Sequence, residues 1–144
     1  MAGYRTTIQS NKTPEEAFEY LADFTNAREW DPGVIAGENL TGEPLGPGSR
    51  FRLVSRFLGR RIPLEYRIIA FEPPRRVVFQ ADHAAVCSTD EIRFVTFGDG
   101  TSVTYQADLR LKGPLGWPMN PFFALAFRRV GDRAAAGLRN ALNA

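Results

Sequence analysis

The sequence predicts an α+β fold in which a curved, seven-stranded antiparallel sheet wraps around a long C-terminal helix, with two short helices inserted after the first strand. Three observations carry this expectation. Residues 4–9 alternate like a strand and run into a helix-start signal at Thr13-Pro14-Glu15-Glu16. Residues 34–111 break into six strand-like runs separated by glycine and proline turns. From Asn120 onward the apolar period changes from two to three and four residues.

The first strand, Tyr4 to Gln9, places Tyr4, Thr6 and Ile8 on one side. Thr13 is a good N-cap, Pro14 suits the first helical position because its missing N–H needs no partner there, and Glu16 completes a capping box. Ala17, Phe18, Leu21 and Ala22 form the apolar side of this first helix. Asp23 can cap a second short turn, and Pro32-Gly33 ends helical structure.

Strands are then expected at Val34–Leu40, Arg50–Leu58, Arg61–Phe71, Arg76–Ala81, Val86–Phe97 and Thr101–Leu111, with Gly59-Arg60 as a two-residue hairpin turn. Short turns between neighbours imply an antiparallel meander. Asn120-Pro121 opens the last helix as N-cap and first helical residue. There Phe123, Phe127, Val130, Ala134, Leu138 and Leu142 form an apolar stripe that needs the concave side of the sheet as partner. Gly131 and Gly137 weaken this helix by ~1 kcal/mol each relative to alanine, a cost that close packing or ligand access would explain.

Composition narrows the functional classes. The 144 residues, 44% hydrophobic and 24% charged, suit one globular domain spanning 1–144. A net charge of +2 without a basic stripe argues against nucleic acid as a partner. Cys87 is the single cysteine and His83 the single histidine, so neither an internal disulfide nor a structural zinc is expected. No P-loop, dinucleotide fingerprint, HExxH pair or serine–histidine–acid set is present, and no cofactor is implied. With neither a signal peptide nor an apolar run of ~20 residues, the expected location is the cytoplasm.

The order of elements, together with Thr13-Pro14-Glu15-Glu16-Ala17-Phe18, Trp30-Asp31-Pro32-Gly33-Val34, Ile68-Ile69-Ala70-Phe71-Glu72-Pro73-Pro74 and Gly100-Thr101-Ser102-Val103-Thr104-Tyr105, resembles the START, birch-pollen-allergen and polyketide-cyclase superfamily (SRPBCC). It is most similar to the polyketide cyclase/dehydrase and lipid-transport branch. The resemblance covers essentially the whole chain and implies a helix-grip fold with a ligand tunnel between sheet and helix. It implies no particular reaction, since carriers, sensors and enzymes share the fold.

Strand alternation predicts which side chains face that tunnel. The candidate ligand-binding set is Trp30, Phe51, Leu53, Ser55, Phe57, Tyr66, Ile68, Phe79, Asp90, Ile92, Phe94, Tyr105, Ala107 and Leu109, with Phe123, Phe127 and Val130 from the helix. Leu64, Val77, Ala81, Val103 and Leu111 share the inward parity, and every strand arginine is expected to point away. The polar members, Ser55, Tyr66, Ser88, Asp90 and Tyr105, suit an apolar ligand with one or two oxygen functions. Tyr66 and Tyr105 read first as core aromatics whose hydroxyls find a polar partner or a water, and Trp30 as a wall or as a cap on the small helices. Asp90 is either an inward carboxylate in need of partners or a group at the wet end of its strand. His83 reads as a solvated loop residue and Cys87 as an inert thiol.

These residues leave three functions open. A carrier or sensor of a small hydrophobic ligand, such as a lipid, quinone or polyketide-like molecule, needs only the cavity and orienting polar groups. A cyclase or dehydratase would use Asp90 as base with Tyr66 or Tyr105 as donor, the candidate catalytic residues. A membrane-docking lipid shuttle would use Trp117, Phe122 and Phe123; otherwise Phe122 and Phe123 pack beneath the loop closing the tunnel. Oligomeric state is not encoded in any recognisable pattern.

Overall fold

In the computed structural model, which describes residues 2–57, 59–83, 86–112 and 121–143, the chain forms a seven-stranded antiparallel sheet curled around a C-terminal helix. The strands are β1 (Ala2–Ser10), β2 (Val34–Asn39), β3 (Arg50–Phe57), β4 (Arg60–Glu72), β5 (Arg76–Asp82), β6 (Val86–Phe97) and β7 (Gly100–Leu111). Between β1 and β2 lie α1 (Pro14–Ala22), a 3-10 turn (Phe24–Asn26) and α2 (Ala27–Trp30); α3 spans Pro121–Leu142. At 22 residues α3 is about 33 Å long. The sheet order is β1-β7-β6-β5-β4-β3-β2, so β1 closes onto the last strand and β2 sits at the far edge.

The helix-start signal is realised in full. The Glu16 N–H donates to Thr13 Oγ1 at 3.2 Å, and the Thr13 N–H donates to Glu16 Oε1 at 3.1 Å. Both are exposed, so the box acts locally. Thr13→Ala is expected to lower the unfolding free energy by about 1 kcal/mol in urea denaturation without altering ligand binding. Asp23 caps the 3-10 turn by accepting from the Thr25 N–H at 3.2 Å.

The sequence-based turn at Gly59-Arg60 is shifted by one residue. Phe57 pairs with Arg60, which puts Arg60 at the start of β4 and outside the turn. Gly59 itself has φ of +76°, a left-handed value that glycine alone adopts without steric cost. Strand β2 stops at Asn39, one residue early, because the Asn39 side chain turns back to accept from the Thr41 and Gly42 N–H groups.

One end of the curled sheet is packed solid. Phe24, carried in by the 3-10 turn, stacks on Phe79 with ring centroids 3.9 Å apart and meets Tyr66 edge-on at 5.1 Å. Phe18 of α1 packs edge-on against Phe71 and Phe94. Phe51, Val77, Phe79, Ile92 and Val103 are completely buried there. At the other end α3 crosses the concave face, and its C-terminal half is anchored through buried Leu138 and Leu142. Ser10 Oγ donates to the Leu142 carbonyl at 2.8 Å, and Asn143 Nδ2 donates to the Gln9 carbonyl at 2.9 Å, tying the end of α3 to β1.

The two helix glycines mark close approaches. A Cβ on Gly137 would stand 1.9 Å from the Trp30 carbonyl oxygen, and one on Gly131 would stand 2.5 Å from the Tyr4 ring. Close packing therefore accounts for both. Among the described residues no helix is long and apolar enough to cross a membrane.

Candidate functional site

Between the anchored part of α3 and the sheet lies a cavity of about 460 Å³, within the usual size range of small-molecule sites. It exists because the facing positions are small. Ser55, Ser88, Ala107 and Thr6 line it from the sheet, and Gly131, Ala134 and Ala135 from the helix. Side chains of this size cannot bridge the gap between layers. The larger apolar walls are Trp30, Ile62, Leu64, Val86, Leu109, Phe127, Val130 and Leu138. Trp30 meets Tyr105 edge-on at 5.4 Å.

One hydrogen-bonded chain crosses this apolar wall. Tyr66 Oη donates to Ser88 Oγ at 3.1 Å, and Ser88 Oγ donates to Asp90 Oδ1 at 3.4 Å. Tyr105 Oη donates to the other carboxylate oxygen of Asp90 through a very short hydrogen bond. Alternation builds the set, because Ser88 and Asp90 lie two apart on β6, while Tyr66 on β4 and Tyr105 on β7 face them from either side. Asp90 is 8% exposed and Tyr105 7%. Burial pushes the Asp90 carboxyl up to about 7; the bond from Tyr105 opposes the rise, and the nearby Asp31 carboxylate adds to it. Burial likewise raises the Tyr66 and Tyr105 phenols well above their ordinary value, the Asp90 charge adding to both, so both stay protonated donors.

Asp31 also lines the cavity, at the α2–β2 junction. Its Oδ1 accepts from the Gly33 N–H at 2.8 Å, and burial raises its carboxyl, with that hydrogen bond opposing. In the sequence, Asp31-Pro32-Gly33 reads as the end of the helical segment and as part of the family resemblance, and Asp31 is not among the site candidates. The Trp-Asp-Pro-Gly run, with an acid beside a candidate wall tryptophan, was the available signal.

Of the sequence-based candidates, the cavity brings together Trp30, Ser55, Tyr66, Asp90, Tyr105, Ala107, Leu109, Phe127 and Val130. Phe51, Leu53, Ile68, Phe79, Ile92 and Phe94 are placed in the closed core instead. They have the inward parity, but Phe24 and Phe18 fill the space in front of that end of the sheet. Trp117 and Asn120 lie outside the described residues, as do the side chains of Phe57, Leu111, Phe122 and Phe123. His83 is exposed and borders the cavity, and Cys87 is half-buried.

The expectation that all strand arginines stand away from the tunnel needs correction at one place. Arg50, Arg52 and Arg67 are exposed and do not line it, but Arg56, also exposed, borders the cavity at the β3–β4 hairpin, together with Arg60, which the sequence places in the turn. The Arg56 N–H donates to the carbonyl of Gly33, itself a lining residue, which holds this stretch of β3 at the cavity edge. Among the described residues no cluster of histidine, cysteine and acidic groups fit to hold a metal is found.

A curled sheet gripping a long helix, with a lined cavity between them, defines a helix-grip protein of the START/SRPBCC type. The profile of the polyketide cyclase / dehydrase and lipid transport family matches residues 1–143, and the chain belongs to that family. No curated protein matches it in sequence. Among solved structures it is similar to a START superfamily protein from Mycobacterium smegmatis (TM-score 0.80, 15% identity, covering 99% of this chain and 97% of that one). It is also similar to the Zhui aromatase/cyclase of a Streptomyces species (TM-score 0.74, 18% identity, 97% and 90% covered). A major latex-like protein from Panax ginseng matches with TM-score 0.71 and 12% identity over 98% and 97% of the chains. At these identities the likeness is one of fold.

Proposed function

We propose that the protein binds a small hydrophobic ligand in the cavity between sheet and α3, as a carrier or sensor. The observation that carries this reading is the apolar cavity crossed by a single polar chain, Tyr66–Ser88–Asp90–Tyr105. The apolar walls favour a hydrophobic body, and the chain orients one polar end. Trp30, Ser55, Ala107, Leu109, Phe127 and Val130 are the proposed body contacts. Native mass spectrometry of the protein as purified, followed by extraction, tests for a resident ligand.

A second test does not depend on what copurifies. Ala107→Trp fills the cavity from β7, and it is expected to abolish saturable one-to-one binding of an uncharged apolar fluorophore such as Nile red. Wild-type protein that carries no ligand and shows no saturable binding would refute the reading.

The Asp90 carboxyl favours a second reading, since a group held near 7 can both take and give a proton at neutral pH. In a cyclase or dehydratase step, the Asp90 carboxylate would remove a proton from the carbon next to a ligand carbonyl. The C–H electrons would pass into the enolate, and Tyr66 or Tyr105 would turn its O–H toward the new oxyanion. Hydrogen–deuterium exchange at the α-carbon of a bound ketone, lost in Asp90→Asn, tests it. An aromatase/cyclase among the structural neighbours supports this reading by fold analogy alone.

A further inference from the structure

The cavity holds two acids and faces them with no buried base. Asp90 stands on β6 and Asp31 at the start of β2, both among the lining residues. The charges acting on Asp90 include two other carboxylates, Asp31 and Asp108, and both raise it. The remaining titratable groups around the cavity are the phenols of Tyr4, Tyr66 and Tyr105, the His83 ring, and the exposed Arg56 and Arg60 at the hairpin edge. From α3 the lining residues are Phe127, Val130, Gly131, Ala134, Ala135 and Leu138, none of which ionises. Residues 58, 84–85 and 113–124 contain no lysine, arginine, histidine or acid, so they add no side-chain charge to this inventory.

We propose that the cavity selects its ligand by the charge of the polar end, accepting a lipophilic amine as its ammonium between Asp31 and Asp90 and refusing a lipophilic carboxylate. The inference rests on the cavity being the binding site. An ammonium is an N–H donor, and it supplies the positive charge that both acids lack. The rings of Trp30, Tyr66 and Tyr105 add the aromatic surface that cations favour. A carboxylate at the same place would bring a third negative charge into low-dielectric surroundings, where like charges disfavour each other strongly. A neutral alcohol falls between, able to join the hydrogen-bonded chain without charge. A fatty acid therefore has no place for its carboxylate between Asp31 and Asp90, even though the walls suit its tail.

Decylamine, decanol and decanoate share one apolar body and differ only in the polar end. Their affinities for the full-length protein, measured by calorimetry near pH 8 where the Asp90 carboxyl is largely ionised, should fall in that order, with decylamine at least about tenfold tighter than decanoate. Asp31→Asn and Asp90→Asn are near-isosteric, and each should narrow the amine–carboxylate gap; circular dichroism confirms that the variants fold. Equal affinities for the three, or tightest binding of decanoate, would overturn charge selection and leave the hydrophobic-cavity reading standing. Failure of decanol itself to bind would remove both.

Discussion

Gly137→Ala is expected to lower the unfolding free energy by about 2 kcal/mol or more, although the substitution improves helix propensity by ~1 kcal/mol. The new methyl would stand 1.9 Å from the Trp30 carbonyl oxygen, 2.9 Å from its carbon and 3.4 Å from its Cα. All three are backbone atoms, so no rotamer change relieves the overlap. Either α3 lifts from α2 or the α2 backbone retreats, and both movements disturb buried Leu138 and the Trp30 wall. Urea denaturation measures the loss, and Nile red binding should weaken with it. Gly131→Ala provides the control, because its methyl meets the Tyr4 ring, which can swing away by breaking the 2.7 Å hydrogen bond to Asp132. Its loss should be about 1 kcal/mol and should turn into a gain when Tyr4 is also alanine. A Gly137→Ala protein more stable than wild type would show that the approach of α3 to α2 is looser than described.

The second large effect is a stability that falls as pH rises. Asp90 has its folded-state carboxyl pushed up to about 7 by burial, against an ordinary value of 3.8. Between these values the folded state holds a proton that the unfolded state has released, so the unfolding free energy decreases with pH through that window. The full difference is on the order of 4 kcal/mol, reached above about pH 7. Asp31, also raised by burial, acts in the same direction. The groups held below their ordinary value, Glu16, Asp82 and Glu91, have the opposite sign, and their contributions are lost only under more acidic conditions. Wild-type protein should therefore denature at lower urea concentration at pH 8 than at pH 5. Asp90→Asn, which keeps the shape but has no charge to bury, should flatten most of that slope and be the more stable protein at pH 8. A wild-type stability independent of pH across this range would mean that Asp90 is solvated in the folded state.

How much of this was legible beforehand differs between fold and site. The helix starts could be read from the chain because they are local. Thr13, Pro14 and Glu16 satisfy one another within a single turn, and Asp23 reaches only to Thr25. Strand parity was legible for the same reason: Ser88 and Asp90 had to share a face with Ile92 and Phe94 whatever lay opposite. The Gly59 turn was misplaced by one residue because glycine suits either turn position, and the pairing of Phe57 with Arg60 selects one.

The inward face, read as one continuous lining, is divided in the folded protein into a solid core and a cavity. Parity is a property of one strand, whereas filling depends on what arrives from elsewhere. Phe24 and Phe18 come from the short helices and occupy the space before Phe51, Phe79 and Phe94, while Gly131, Ala134 and Ala135 of α3 leave the space before Asp90 open. Asp31 joins Asp90 on one cavity only because the sheet curls, bringing the start of β2 over β6 although three strands stand between them in the sheet order. Local sequence thus determines elements, caps and faces, through contacts a few residues long. The volume, the meeting of two acids and the raised carboxyl of Asp90 belong to the packed layers, because burial and long-range charge are properties of neighbours that no short stretch of sequence contains.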